Sequence, residues 1–125
     1  MKEFSVAWKG SRKQRKQRKY IFNAPLHIKQ KFMSSHLSKE LRKKYGKRSI
    51  GLRKGDRVKV ISGKFRKHEG KVENINLKKT YVFVSGLESM KKDGIKKLLA
   101  LHPSNLMITE LNLDDKLRQK MAGGK

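Results

Sequence analysis

Between Asp56 and Glu110, apolar side chains recur at alternate positions in five short segments, near residues 56–61, 70–76, 80–87, 95–101 and 106–110. A period of two is that of a strand with one buried face. Turn chemistry separates the segments: two lysines before Thr80, the Asp93-Gly94 pair, and His102-Pro103-Ser104. So many strands in so short a stretch predict a small barrel or rolled sheet, because an open sheet of that size leaves long unpaired edges. The expected core is Val58, Val60, Val72, Ile75, Val82, Val84, Leu99, Leu106 and Ile108. Such a core hides about 60% of its unfolded surface. It serves as a scaffold and leaves no room for a deep catalytic cavity.

The first hairpin has an interruption that needs a reason. Arg57 to Val60 alternate polar and apolar, but Ser62 to Glu69 then presents Lys64, Arg66, Lys67 and His68 before Lys71 and Val72 resume the alternation. If the flanking strands are antiparallel neighbours, these cations are held on a rigid base and lose little freedom on binding. Gly63 and Gly70 mark positions of positive φ or of close backbone approach. The pattern is that of a loop facing phosphates; an ordinary solvated hairpin loop is the plain alternative.

Composition decides between these readings. The 125 residues hold 34 Lys and Arg against 10 Asp and Glu, a formal net charge of +24. Self-repulsion on that scale disfavours a compact isolated chain, which points to a polyanionic partner, nucleic acid first. Residues 1–50 carry 16 basic and 2 acidic side chains, residues 51–110 carry 14 and 6, and residues 111–125 carry 4 and 2. Ser11 to Lys19 has no apolar residue and is expected to be disordered in free solution, ordering when Arg12, Lys13, Arg15, Lys16, Arg18 and Lys19 meet phosphates. Runs of this kind also serve as solvated tails or nuclear-import signals. Cysteine is absent, so disulfide and thiolate-zinc frameworks are excluded. With no apolar run long enough for a bilayer and no signal-peptide core, the chain is expected in the cytoplasm, or in a nucleus.

Two short helices are expected in the basic extension. Asn23 can cap one, with Ala24 and Pro25 in its first turn and Leu26, Lys29, Gln30 and Met33 following. Ser38 can cap another that stops at Gly46 and carries Arg42, Lys43 and Lys44. Neither is long enough to be stable alone, so both must dock. Tyr20, Phe22 and Phe32 lie among these cations, placed either to stack on bases or to anchor the helices.

Enzymatic readings fail one by one. The glycines of Gly63 to Gly70 are spaced too widely for a phosphate loop, and Val72 stands where a magnesium-binding hydroxyl is required. His27, His36, His68 and His102 lack metal-ligand spacing. Asp114 and Asp115 are adjacent, which suits the N-terminus of a last helix better than a site. Neither a catalytic residue, a metal nor a cofactor is expected.

These residues also carry a resemblance. GDRVKVISG (55–63) followed by HEGKV (68–72) resembles the KOW motif of SH3-like barrels in ribosomal proteins and transcription elongation factors. The flanks FNAPLHI (22–28), MSSHLSKELRKKY (33–45) and LHPSNLMIT (101–109) resemble the archaeal and eukaryotic form of universal large-subunit ribosomal protein twenty-four, called twenty-six in eukaryotes, over about residues 10–120. The resemblance implies a mainly β, SH3-like KOW barrel with helical appendages. It also implies a non-catalytic constituent of the cytoplasmic ribosome that binds the 5′ domain of large-subunit rRNA, joins early in assembly and lies near the nascent-chain exit beside other large-subunit proteins. Carried over by position, RNA would meet the 12–19 run, Lys29, Arg42 to Lys44, and the loop from Lys64 to Lys71. Family members often have glycine after the first loop cation where this chain has Lys67, which bears on the loop backbone, and Lys91 to Lys97 is more basic than the family's second hairpin.

The expected organisation is a basic rRNA-binding extension with two short helices (1–50), the KOW barrel (51–111), and a C-terminal helix or tail (112–125), with neither membrane insertion nor homo-oligomers. Two other classes fit the charge: a KOW elongation factor acting on RNA polymerase, and a chromatin-like DNA-packaging protein. The first usually has a separate α/β domain that residues 1–50 are too short and too basic to supply.

Overall fold

All five alternating segments form strands, and the basic extension contributes two more. In the computed structural model, which describes residues 2–123, the order is α1 (Gln14–Asn23), α2 (Leu26–Phe32), β1 (Ser34–Leu37), α3 (Lys39–Tyr45), β2 (Ser49–Gly51), β3 (Arg57–Val60), β4 (Glu69–Asn76), β5 (Tyr81–Met90), β6 (Lys96–Leu101), β7 (Leu106–Glu110) and α4 (Lys116–Gly123). Single 3-10 turns occupy Val6–Gly10 and Pro103–Asn105.

The sheet runs β2-β1-β7-β3-β4-β5-β6. The expected closed barrel is not formed, because β1 occupies the outer edge of β7 in parallel, pairing His36 with Met107 and Leu37 with Ile108, and β6 pairs only with β5. The sheet is nonetheless bent. β4 gives Glu69 to Lys71 to β3 and Val72 to Asn76 to β5, with a register shift between Val72 and Asn74. Further shifts fall between Arg57 and Val58 and between Phe83 and Glu88. Irregularities of this kind bend and twist a strand, so two wings of one sheet fold over a shared core.

Val58, Val60, Val72, Val82, Val84, Leu106 and Ile108 are buried as their alternation requires, while Ile75 and Leu99 are half-buried against them. The rest of the core lies outside the expected set: Met33, Leu37 and Ile50 come from the extension, Leu52 from just beyond it, Leu87 from the end of the third alternating segment, and Ala122 from α4. The extension is thus docked through side chains as well as through β1.

Local signals explain most of the boundaries. Ser38 accepts a hydrogen bond from the Leu41 N–H, and Gly46 closes α3 in the left-handed conformation at φ 65°, as expected from sequence. Asn23 does not cap α2. It is the last residue of α1, and its side chain donates to the Glu3 carbonyl at 2.8 Å, while Pro25 takes the cap position. Asp115 receives the Leu117 N–H at 2.9 Å at the start of α4.

A buried ion pair fastens α4 to the sheet. Asp56 and Arg118 are both almost fully buried. The Asp56 carboxylate accepts from Arg118 Nη1 at 2.6 Å and from Arg118 Nη2, and from the backbone N–H groups of Arg53 and Asn112, each at 2.9 Å. Arg118 also donates to the carbonyls of Asn112 (2.7 Å) and Gly51 (3.1 Å). One guanidinium therefore joins the end of β2, the approach to β3 and the segment after β7.

Candidate nucleic-acid interface

The basic run does not stay irregular. Arg12 and Lys13 lead into α1, and Arg15, Lys16, Arg18 and Lys19 lie on it. Cations three and four residues apart repel on a helix, and nothing acidic lies in its first turn. What holds it is its end: Tyr20 is buried, stacked on Phe4 at 5.3 Å and edge-on to Phe32 at 5.8 Å. Ala24 is buried beside it. The run expected to be disordered is therefore helical from Gln14, because its anchors, Phe4 and Phe32, lie on either side of it in sequence. Of the three aromatics, Tyr20 is a packing anchor, Phe32 its half-buried neighbour, and Phe22 is 80% exposed.

The hairpin loop is folded rather than slack. Lys67 N–H donates to the Val60 carbonyl at 2.8 Å, and Val60 N–H donates to the His68 carbonyl at 2.9 Å. Ser62 Oγ donates to Asn105 Oδ1 at 2.9 Å. Gly63 has φ 96° and open space where a Cβ would lie, so it supplies conformation. Gly70 supplies proximity instead: a Cβ there would lie 2.7 Å from the Ser85 carbonyl oxygen. The close approach at Gly70 is thus to the protein's own β5. Lys67 stands at φ 74°, a left-handed turn with a side chain on it.

The cations divide by what they touch. Lys64, Arg66, Lys67 and Lys71 are exposed, with Lys64 Nζ 5.9 Å from the Phe65 ring. The half-buried His68 ring holds the Ser85 carbonyl at 3.1 Å through Nε2, bracing the loop against β5. Lys29 donates to the Lys78 carbonyl at 3.1 Å, latching α2 to the β4–β5 turn. Arg42 Nε donates to the Leu37 carbonyl at 2.9 Å, whereas Lys43 and Lys44 are exposed, the latter 5.3 Å from the Tyr45 ring.

Acidic side chains avoid this set. The five ion pairs among the described residues engage Arg53, Arg57, Lys59, Lys96 and Arg118. Lys64, Arg66, Lys67 and Lys71 enter none of them, nor do Arg12, Lys13, Arg15, Lys16 and Arg18.

A short linker connects the two basic elements. His102 shares a cavity with Gln17 and Tyr20 of α1, and Asn105, which bonds back to the His102 carbonyl at 3.0 Å, receives Ser62 of the loop. The turn at Pro103–Asn105 thereby stands between α1 and the hairpin loop. Nothing in the local sequence marked that junction.

A bent, mainly β fold with cations set away from acid on one helix and one braced loop defines a small basic nucleic-acid-binding protein. Its family follows from comparison: residues 11–125 match the family of ribosomal proteins described as L26 in eukaryotes and L24 in archaea, and the chain belongs to it. It is 46% identical over 115 residues to large ribosomal subunit protein uL24 of Methanosphaera stadtmanae, covering 92% of this chain and 98% of that one. It is 49% identical over 111 residues to the uL24 of Methanothrix thermoacetophila, covering 89% and 96%, and 46% identical over 111 residues to that of Korarchaeum cryptofilum, covering 89% and 85%.

Proposed function

We propose that this protein is a non-catalytic structural constituent of the large subunit of the cytoplasmic ribosome, where it binds the 5′ domain of large-subunit rRNA. Family membership supports the ribosomal role, and one observation carries the RNA contact: Arg15, Lys16 and Arg18 of α1 and the cations of the 62–67 loop lie on ordered elements and enter none of the ion pairs among the described residues. Phosphate contact supplies affinity and register, while the fit of the folded protein to one rRNA junction supplies selectivity, since A-form RNA is read by shape, 2′-hydroxyls and exposed bases.

In this reading residues 1–50 are the RNA-binding extension, 51–111 an SH3-like KOW unit that is bent but not closed, and 112–125 the segment that clamps it. Arg12, Lys13, Arg15, Lys16, Arg18, Lys19, Lys43, Lys44, Lys64, Arg66, Lys67 and Lys71 meet phosphates. Lys29, Arg42 and His68 contribute chiefly by holding those elements in place. One copy acts, early in assembly, beside other large-subunit proteins near the nascent-chain exit. Sedimentation of a lysate in moderate salt, with the chain followed by mass spectrometry, tests the proposal. Co-migration with large subunits, lost in high salt or after RNase, is expected; residence with polymerase or chromatin fractions overturns it.

A further inference from the structure

A cavity of about 410 Å³ lies where the N-terminal 3-10 turn, α1 and two strand connections meet. Its volume falls within the roughly 300–1,000 Å³ of small-ligand clefts. Trp8, Tyr20, Ile21 and Phe32 give it apolar, largely aromatic walls. Polar groups come from Gln17, His102 and Thr80, with Lys9 at its margin. Gln17 gives its amide nitrogen to the Ser11 carbonyl at 2.7 Å, which leaves Oε1 to accept. His102 engages Ser104 through Nδ1 at 2.7 Å, which leaves Nε2 on the other side of the ring. Trp8 is half-buried, with Lys19 Nζ 5.6 Å from its ring centroid.

We propose that this cavity receives one unpaired nucleobase of the bound RNA, stacked against Trp8, with its polar edge toward Gln17 and His102. The inference rests on the RNA-binding reading above and deepens it by naming a site. Charge selects the occupant: Arg15, Arg18 and Lys19 sit on the helix that forms one wall, and Lys9 lies beside Trp8, so an apolar group entering here is best carried on a polyanion. An aromatic wall ringed by cations binds bases of any sequence through their π-faces. Trp8 and Lys9 precede the residues matched to the family, which begin at 11.

Trp8 is the single tryptophan and reports directly on the site. The intact chain is titrated at physiological salt with single-stranded oligoadenylate or oligouridylate and, in parallel, with an abasic ribose-phosphate oligomer of equal length. Base-bearing RNA is expected to quench Trp8 emission while the abasic oligomer binds without quenching. Trp8→Ala is expected to weaken base-bearing RNA by about 5- to 150-fold, the range of one base–aromatic stack, with no change for the abasic oligomer. Trp8→Phe is expected to retain most of the affinity, and far-UV circular dichroism verifies that both variants fold. Equal quenching by the abasic oligomer, or unchanged affinity in Trp8→Ala, overturns the proposal, as does quenching by a short apolar peptide but not by RNA, which assigns the cavity to a protein segment. In each of these cases co-sedimentation with large subunits leaves the ribosomal reading standing. Failure of both oligomers to bind, with no co-sedimentation, removes that reading too.

Discussion

Replacing Arg118 with methionine should be the most damaging single change outside the apolar core. The side chain is 2% exposed and faces Asp56, which is fully buried. Without the guanidinium, the Asp56 carboxylate keeps only the Arg53 and Asn112 N–H donors, and the Gly51 and Asn112 carbonyls each lose a donor. Removing one partner of a buried pair costs about 3–5 kcal/mol, because the remaining charge is left uncompensated. Against a total stability of about 5–15 kcal/mol for a domain, that loss unfolds a substantial share of molecules on mild heating. For this length it corresponds to a fall in Tm of roughly 10–20 °C. The assay is urea unfolding followed by far-UV circular dichroism, with Asp56→Ala, Arg118→Met and the double variant forming a cycle. The double variant should lose less than the sum of the singles, because it strands no charge. A loss below about 1 kcal/mol for Arg118→Met, or strict additivity in the cycle, would refute the argument that this pair clamps α4 to the sheet.

Three further outcomes follow from particular residues. Lys67→Gly should stabilise the free protein by about 0.5–1 kcal/mol, since relief of the left-handed strain exceeds glycine's added chain entropy; urea unfolding checks it, and a destabilised variant contradicts the strained turn. Lys64→Ala with Arg66→Ala should reduce the slope of log affinity for rRNA against log salt by about 1.5–2, the signature of two lost phosphate contacts; an unchanged slope would take the loop off the RNA. Asp115 is held below the ordinary 3.8 first by its hydrogen bond to Arg53, then by the Leu117 N–H. A lowered folded-state value means its contribution is complete above 3.8 and disappears as pH falls through the lowered value. The stability gap between wild type and Asp115→Asn, measured in urea, should therefore be present near neutrality and shrink below pH 3.8; a gap constant with pH contradicts the assignment.

The parts of the fold that were legible in sequence were those with local causes. Alternation at Val58/Val60, Val82/Val84 and Leu106/Ile108 marks strands and inward faces, and Ser38 with Gly46 bounds α3, because each signal acts within one element. What could not be read was decided by partners distant in sequence. β1 is a strand because β7 offers it an edge far along the chain, at His36 and Met107. Asp56 reads as the polar head of a strand until α4 brings Arg118 to it. The loop cations are visible as a run of charge, but the role of His68 is set by Ser85 on a neighbouring strand. No local pattern marks Trp8, because the residues that make it a wall, Thr80 and His102, lie in distant turns.

The placement of acid explains how so basic a chain folds without hiding the surface it needs. Four of the five ion pairs among the described residues have a member between Arg53 and Lys59: Arg53 with Asp115, Asp56 with Arg118, Arg57 with Glu110, and Lys59 with Glu69. Acidic partners on β4, on β7 and ahead of α4 are therefore gathered around the cations of β3 and the turn before it, where repulsion among crowded cations would act most directly on the sheet. Exposed pairs of this sort contribute about 0–1 kcal/mol each, so their value lies less in added stability than in keeping like charges from meeting at the seam. The same economy leaves the cations of the hairpin loop without acid, and their charge acts outward. In the proposed reading, folding and binding draw on different residues: Asp56 and its neighbours neutralise the interior, and the cations outside these pairs are the ones left to meet RNA.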